Sequence, residues 1–301
     1  MQTLGKPRLL IVGCGDIGLR VAQQLSKLYR IFALTSQRER FPELRALGVI
    51  PIFGDLDTPD SLWRLKGIAS TVIHLAPPQN LSTYDYRTRN LVRILSQGSS
   101  GLRRLVYVST TGVYGDCRGA RVYETTPINP QNDRAHRRVD AERVLRSWAL
   151  NTGAVLSILR VPGIYSLDRL PIGRLKSKTP ALISEEDAYS NHIHGDDLAR
   201  LICAAIFRGR PQRVINACDG VEIKMGDYFD QVADAFDLDR PQRFPATELQ
   251  KMVNPMLWSF MRESRRVQNS RLRELRTNLR YQSVAEFLEI TSKNPLGQQR
   301  D

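Results

Sequence analysis

The sequence predicts an α/β fold, a doubly wound parallel sheet carrying a small C-terminal substrate lobe. Three observations carry that prediction. The apolar run Leu9-Leu10-Ile11-Val12 breaks into Gly13-Cys14-Gly15-Asp16-Ile17-Gly18. Ile17, Val21, Leu25 and Leu28 then follow at helical spacing. Strand-like and helix-like segments keep alternating afterwards, which is the pattern of parallel strands joined by crossover helices.

Taken in order, Ile31-Phe32-Ala33-Leu34 reads as the second strand, Val49 to Phe53 as the third and Thr71 to Leu75 as the fourth. Leu105 to Ser109 gives the fifth and Val155 to Arg160 the sixth, with helical patterns around Leu91 to Leu95 and Val139 to Trp148. From Ile164 the pattern loosens through Leu170-Pro171-Ile172-Gly173 and a polar run to Asp187. One more helix (Asp197 to Phe207) and a strand (Val214 to Ala217) follow. Beyond Cys218 the chain reads as mostly helical, with Tyr228, Phe229, Val232 and Phe236 on one stripe. The expected partition is a nucleotide-binding domain of residues 1–163 with 191–217, and a lobe of 164–190 with 218–301.

A strand, GxGxxG and a helix in succession form the turn with which a Rossmann domain holds a dinucleotide pyrophosphate. Gly13 permits the tight bend, Gly15 admits the phosphate, and Gly18 lets helix and strand pack closely. The free N–H groups at the helix start, around Asp16 and Ile17, face the phosphates. Which dinucleotide is meant should show at the end of the second strand, where an acidic residue binds a ribose 2′-hydroxyl. Here the strand runs into Thr35-Ser36-Gln37-Arg38-Glu39-Arg40, with no carboxylate at its tip. The hydroxyls of Thr35 and Ser36 and two guanidiniums, Arg38 foremost and Arg40, suit a 2′-phosphate, so NADP is expected over NAD. Glu39 and an exposed, arginine-decorated helix start leave NAD open.

The chain has 301 residues, 42% hydrophobic and 25% charged, the composition of an ordinary globular protein with room for one large domain or two small ones. No run approaches the roughly 20 apolar residues of a membrane helix, and Leu9 to Val12 is too short for a signal peptide. Four scattered cysteines without CxxC spacing point to reduced thiols, hence a cytoplasmic setting. The net charge of +13 raises nucleic acid as a partner. Yet the charge is dispersed, almost all arginine and without an aromatic-studded basic motif, so anionic small molecules account for it equally well.

Further segments carry a family resemblance. They are Gly54-Asp55-Leu56, His74-Leu75-Ala76, Val108-Ser109-Thr110-Thr111-Gly112-Val113-Tyr114-Gly115 and Glu124-Thr125-Thr126-Pro127-Ile128-Asn129-Pro130. Arg160-Val161-Pro162-Gly163-Ile164-Tyr165 and Asn191-His192-Ile193-His194-Gly195-Asp196-Asp197-Leu198-Ala199 complete the set. In this order the chain resembles an extended or atypical short-chain dehydrogenase/reductase of the NAD(P)-dependent epimerase/dehydratase type. The resemblance implies an oxidoreductase acting on a carbonyl or alcohol of a small molecule. It adds Asp55, Leu56, Leu75, Ala76, Pro77, Arg138 and Pro162 to the cofactor contacts, and it makes a homodimer through the helices flanking the fifth and sixth strands an expectation.

In that family a Ser or Thr ends the fifth strand, and a Tyr and a Lys four residues apart follow on the next helix. The lysine holds the ribose and lowers the tyrosine pKa. By this resemblance the Ser/Thr place falls on Thr110, the Tyr place on Arg134 and the Lys place on Arg138. A guanidinium stays protonated near neutral pH, so Arg134 is no general acid or base. Three readings follow. Acid/base work is relocated to Tyr114, Tyr165, Asp116 or His194, with Tyr114 foremost because it follows Thr110. Alternatively hydride transfer suffices, with Arg134 as oxyanion donor and water as proton source. In the third, the chain is a non-catalytic NADP-binding sensor or scaffold, and Tyr114 merely packs.

His192 and His194 before Asp196 and Asp197 invite a metal reading, but no third and fourth ligand stands at useful spacing. The expected role of the segment is to start a helix, with an Asp as its N-cap. Cys14 and Cys117 lack a partner base and read as incidental. Arg265 and Arg271 lie in a segment that the resemblance brings to the substrate, where an arginine grips a phosphate or carboxylate. A solvated helix face fits that segment as well.

Overall fold

The computed structural model describes residues 5–98 and 101–293. In chain order it begins with β1 (Arg8–Val12), α1 (Asp16–Leu25), β2 (Arg30–Thr35), α2 (Phe41–Ala46), β3 (Ile50–Phe53), β4 (Thr71–His74) and α3 (Tyr86–Leu95). β5 (Arg104–Thr110), β6 (Arg121–Val122), α4 (Asp133–Thr152), β7 (Val155–Val161), β8 (Gly163–Tyr165), α5 (Ile172–Lys176), β9 (Ala181–Leu182), β10 (Tyr189–Ser190) and β11 (His192–His194) follow. The rest is α6 (Gly195–Arg208), β12 (Arg213–Asn216), β13 (Ile223–Lys224), α7 (Met225–Ala235), β14 (Arg243–Phe244), α8 (Ala246–Met252), α9 (Pro255–Met261), β15 (Arg266–Val267) and α10 (Val284–Lys293).

Seven strands pair in the order β3-β2-β1-β4-β5-β7-β12, every pair parallel. Parallel strands are covered on both faces, which is why they read as unbroken apolar runs. Alternate residues of β1 serve opposite sides: Leu9 and Ile11 join the core under α1 and α6, Leu10 and Val12 the core on the other face. All four are fully buried, at about 1.5–3 kcal/mol each for burial of such side chains. Because β2 and β3 lie on one side of β1 and β4 on the other, the chain reverses between β1 and β4. The crevice beyond their carboxyl ends is where this architecture takes ligands.

Two helices matter for the site. The side chain of Asn132 caps α4 by accepting from Ala135 N at 2.9 Å, and Gly153 ends the helix in the left-handed conformation. Its middle is pinned to the sheet by Glu142, whose carboxylate accepts from Ser109 Oγ at 2.7 Å and from Arg160 at 3.1 and 2.8 Å. At α6 the expected Asp cap is corrected: His194 Nδ1 accepts from Asp196 N at 3.2 Å. Asp197, fully buried, instead accepts from the backbone N–H of Arg280 at 2.6 Å and of Tyr281 at 2.9 Å.

Tyr165, Leu170, Leu175, Tyr228, Phe229, Val232 and Phe287 form a separate apolar cluster, with Phe236 against it, so the predicted stripe is an interior face. The C-terminal chain does not stay there. β15 returns to pair with β6, and Leu275 enters the core beneath the sheet. No helix of the described residues is long and apolar enough to cross a membrane.

Candidate active site

The crevice at the switch point is a cleft of 630 Å³. Its floor is the glycine turn. Gly13 has φ +88°, and a Cβ there would stand 2.5 Å from Ala76 N, so only glycine fits. Both Leu75 N and Ala76 N donate to Val12 O, at 2.8 and 3.0 Å, which draws the ends of β1 and β4 together. A Cβ on Gly15 would meet nothing within 4 Å, so its backbone opens onto the cleft where α1 begins. Asp16 also lines the cleft, an odd place for a carboxylate beside phosphates. It is matched by Arg20 Nε at 2.7 Å and Arg169 Nε at 3.2 Å.

Of the residues expected from sequence, Ile17, Gly18, Thr35, Ser36, Asp55 and Leu56 line this cleft. So do Leu75, Ala76, Pro77, Arg138 and Pro162. Arg38 does not. Its guanidinium turns outward and lies 4.1 Å from the centre of the Phe53 ring. The short 3₁₀ turn over Arg38–Arg40 rotates its neighbour inward instead. Arg40 lines the cleft and donates to the Cys14 carbonyl at 2.6 Å. The same pattern that drew attention to Arg38 contained Arg40, but only the turn geometry distinguishes them.

A second chamber of 470 Å³ adjoins the first and shares Pro77, Thr110, Arg138 and Pro162 with it. Thr110 Oγ1 accepts from Gly112 N at 3.2 Å, which leaves its hydroxyl proton free to be donated. Arg138 donates through one nitrogen to Tyr107 Oη and to Val108 O, each at 3.0 Å. Burial pushes the Tyr107 phenol up to about 12, so it is a fixed neutral prop. Arg134 lines the chamber one turn earlier, 4.0 Å from the centre of the Phe260 ring. Desolvation, aided by the charges of Arg138, Arg265 and Arg137 and opposed by Glu263, lowers its pKa from the ordinary arginine value.

Tyr114 is corrected. It lines neither cavity, is 1% exposed, donates to Asn216 Oδ1 at 2.8 Å and lies against Arg160. Burial raises its pKa, the wrong direction for acid/base work near neutrality. Tyr165 is sealed in the apolar cluster, His194 caps α6, and Asp116 accepts from Ser264 N at 2.9 Å and Arg118 N at 3.0 Å. None of the three lines either cavity. Cys14 lines the cleft, but burial holds its thiol up at about 11. Arg265, from the segment that the resemblance brings to the substrate, does line the chamber, beside Asn191 of the motif over residues 191–199. What the sequence did not reveal is the rest of the far wall, where Tyr189, Phe260 and Glu263 enter from short elements outside the strand-helix alternation.

The NAD dependent epimerase/dehydratase family matches residues 9–218, from β1 to just past β12. Protein YeeZ of Escherichia coli K12 is 31% identical over 247 residues, covering 78% of this chain and 86% of that protein. A functionally unknown conserved protein from Silicibacter pomeroyi superposes with a TM-score of 0.78 at 26% identity, over 96% of this chain and 99% of that one. The UDP-glucose 4-epimerase of Thermus thermophilus, solved in complex with NAD, superposes at 0.74 with 20% identity over 97% of this chain and all (100%) of that one, a likeness of fold. A parallel sheet reversing at β1, a glycine turn that tolerates no side chain at Gly13, and a family match over more than half the chain agree: the chain belongs to the NAD-dependent epimerase/dehydratase family.

Proposed function

We propose that the protein binds NADP(H) in the switch-point cleft and exchanges hydride with a carbonyl or alcohol of a small molecule held in the second chamber. The observation that carries this reading is the continuity of the two cavities through Thr110, Arg138 and Pro162. The cofactor supplies the hydride. The first turn of α1 takes the pyrophosphate on its free N–H groups. Thr35, Ser36 and Arg40 take the 2′-phosphate, with no carboxylate at the tip of β2 to repel it. Arg138, anchored by Tyr107 and Val108, holds the ribose side, and Thr110 donates to the substrate oxygen. Arg134 supplies positive charge where an oxyanion develops. The cluster of Tyr165, Leu170, Leu175, Tyr228, Phe229 and Phe287 forms the body of the substrate lobe, while Leu275 returns to the sheet core.

A second reading, an NADP-binding sensor without turnover, draws on one feature. The two arginines on α4 facing the junction cannot give up a proton near neutral pH. Titration of the protein with NADPH, NADP, NADH and NAD by fluorescence, followed by a carbonyl screen read as NADPH loss, separates the possibilities. Micromolar NADPH binding with turnover supports the oxidoreductase. Binding without any turnover supports the sensor, and no dinucleotide binding overturns both.

A further inference from the structure

We propose that the second chamber takes a substrate carrying at least two oxyanion groups, carboxylate or phosphate; this rests on the reading of that chamber as the substrate site. Arg134, Arg137, Arg138, Arg174 and Arg265 all line it, against a single carboxylate, Glu263. Glu263 is already matched, accepting from Arg265 at 2.9 Å and from Asn132 Nδ2 at 3.0 Å. No other lining arginine has a carboxylate within ion-pairing distance among the described residues. Four guanidiniums therefore face one cavity uncompensated. Arg138 is shared with the cofactor cleft, which leaves Arg134, Arg137 and Arg174 to the substrate, and one carboxylate paired bidentately with one of these forks leaves the other charges unmatched.

The placement of three of them sharpens the argument. Arg134, Arg137 and Arg138 stand at i, i+3 and i+4 in the first two turns of α4. Like charges at that spacing repel, and cations at a helix N-terminus oppose the helix dipole. The arrangement costs stability in the empty protein and is relieved by an anion. Arg137 is the clearest sign of a built site. It is 7% exposed, spends one nitrogen on Ser82 O at 2.7 Å, and leaves its buried Nε without a partner. A buried cationic donor left unmet is an expensive feature unless a ligand completes it.

The test is calorimetric titration of the whole chain with inorganic pyrophosphate and with propane-1,2,3-tricarboxylate, each with and without saturating NADPH, at physiological salt. NADPH keeps pyrophosphate off the glycine turn. The expected result is one-site binding of at least one probe to the NADPH-loaded protein, weakened tenfold or more by Arg134→Gln and by Arg174→Gln, both at exposed positions, with folding of each variant checked by circular dichroism. Arg64→Gln, on the exposed outer edge beyond β3, should leave it unchanged. Which probe binds tells phosphate from carboxylate. No binding of either probe overturns the proposal, as does binding insensitive to Arg134→Gln and Arg174→Gln or equally sensitive to Arg64→Gln. If NADPH itself fails to bind, the cofactor reading falls, while the cofactor-free titrations with the same variants still decide this one.

Discussion

Arg40 reaches back over the glycine turn to donate to the Cys14 carbonyl at 2.6 Å, tying the loop after β2 to the floor of the dinucleotide cleft. Its neighbour Arg38 is committed to the outer face against Phe53. Arg40→Ala should therefore weaken NADPH by about 10- to 100-fold, the range for losing one charge-assisted hydrogen bond, while NADH affinity changes little. Arg38→Ala should leave the NADPH-to-NADH ratio intact. Fluorescence titration of both variants with both cofactors checks this, and the reverse ranking would return the 2′-phosphate to Arg38.

Arg138 is held by two uncharged acceptors, so its charge is directed at the cavity rather than spent on an internal carboxylate. Replacing it with Ala should reduce NADPH affinity roughly tenfold or more and leave the Tyr107 hydroxyl without its guanidinium donor. Tyr107→Phe is the informative companion. It keeps the charge but frees the guanidinium to wander, so it should reproduce part of the affinity loss with the fold intact by circular dichroism.

Tyr114 and Glu142 belong to stability rather than chemistry. Glu142 and Arg160 form a buried ion pair at 2.8 Å, with side chains only 3% and 6% exposed. Removing one charge leaves the other stranded, so Glu142→Gln should cost about 3–5 kcal/mol in denaturant unfolding. Tyr114→Phe removes the donor to the neutral Asn216 oxygen, while Arg160 keeps its ion pair with Glu142, and it should cost about 1–3 kcal/mol. With NADPH bound, neither should change a measured turnover number by more than a small factor; a large loss for Tyr114→Phe would restore it as a catalytic candidate.

The sheet was legible because burial on both faces imposes continuous apolar runs, as in Leu9 to Val12 of β1 and Ile31 to Leu34 of β2. The glycine turn was legible because a steric requirement at Gly13 leaves a fixed spacing. The stretch proposed to read the 2′-phosphate was half legible: composition exposed the Thr35–Arg40 run, but a 3₁₀ turn decides which arginine lines the cleft, and no periodicity reports that. Arg134 and Arg138 came through resemblance, whereas Arg137 follows from them at helical spacing only once one asks which face of α4 looks into a cavity. Tyr189 and Phe260 were not readable at all. They sit on a two-residue strand and a seven-residue helix whose position is set by tertiary packing of the lobe.

His192 gives a pH signature. It is 5% exposed, its Nε2 lies 3.0 Å from Ser190 Oγ and its ring centre 4.2 Å from that of Tyr228. Burial lowers its pKa from 6.5 to about 4. The unfolded chain thus binds a proton that the folded chain refuses between those values, and stability is lost as pH falls through that window, by at most about 1.4 kcal/mol per pH unit. Half-buried Asp219, raised to about 7 by desolvation, acts in the opposite sense, while His74, lowered to about 3, acts in the same sense, so the whole-protein curve does not report His192 alone. The difference between wild type and His192→Gln isolates the term. The variant's stability deficit, measured by urea unfolding, should shrink as pH is lowered from about 7 to about 5; a deficit independent of pH would mean His192 titrates normally.

Thr110 is the one site residue whose donor role follows from its own hydrogen bonding. Its oxygen accepts from Gly112 N as the cap of the turn after β5, and it is among the few residues that line both cavities. With a lone pair occupied by that N–H, the hydroxyl proton is the part left to face a substrate oxygen. Thr110→Val removes the donor at nearly constant volume and also the cap, so its kinetic effect must be separated from a structural one. Thr110→Ser keeps both hydrogen bonds and loses only a methyl group. Under the oxidoreductase reading, Thr110→Val should lower kcat by about 10²- to 10³-fold, the range for one oxyanion donor, with NADPH affinity within a small factor of wild type. Thr110→Ser should retain most of the activity. Equal loss in both variants would point to packing of the turn, and a loss confined to NADPH binding would move Thr110 from the substrate to the cofactor.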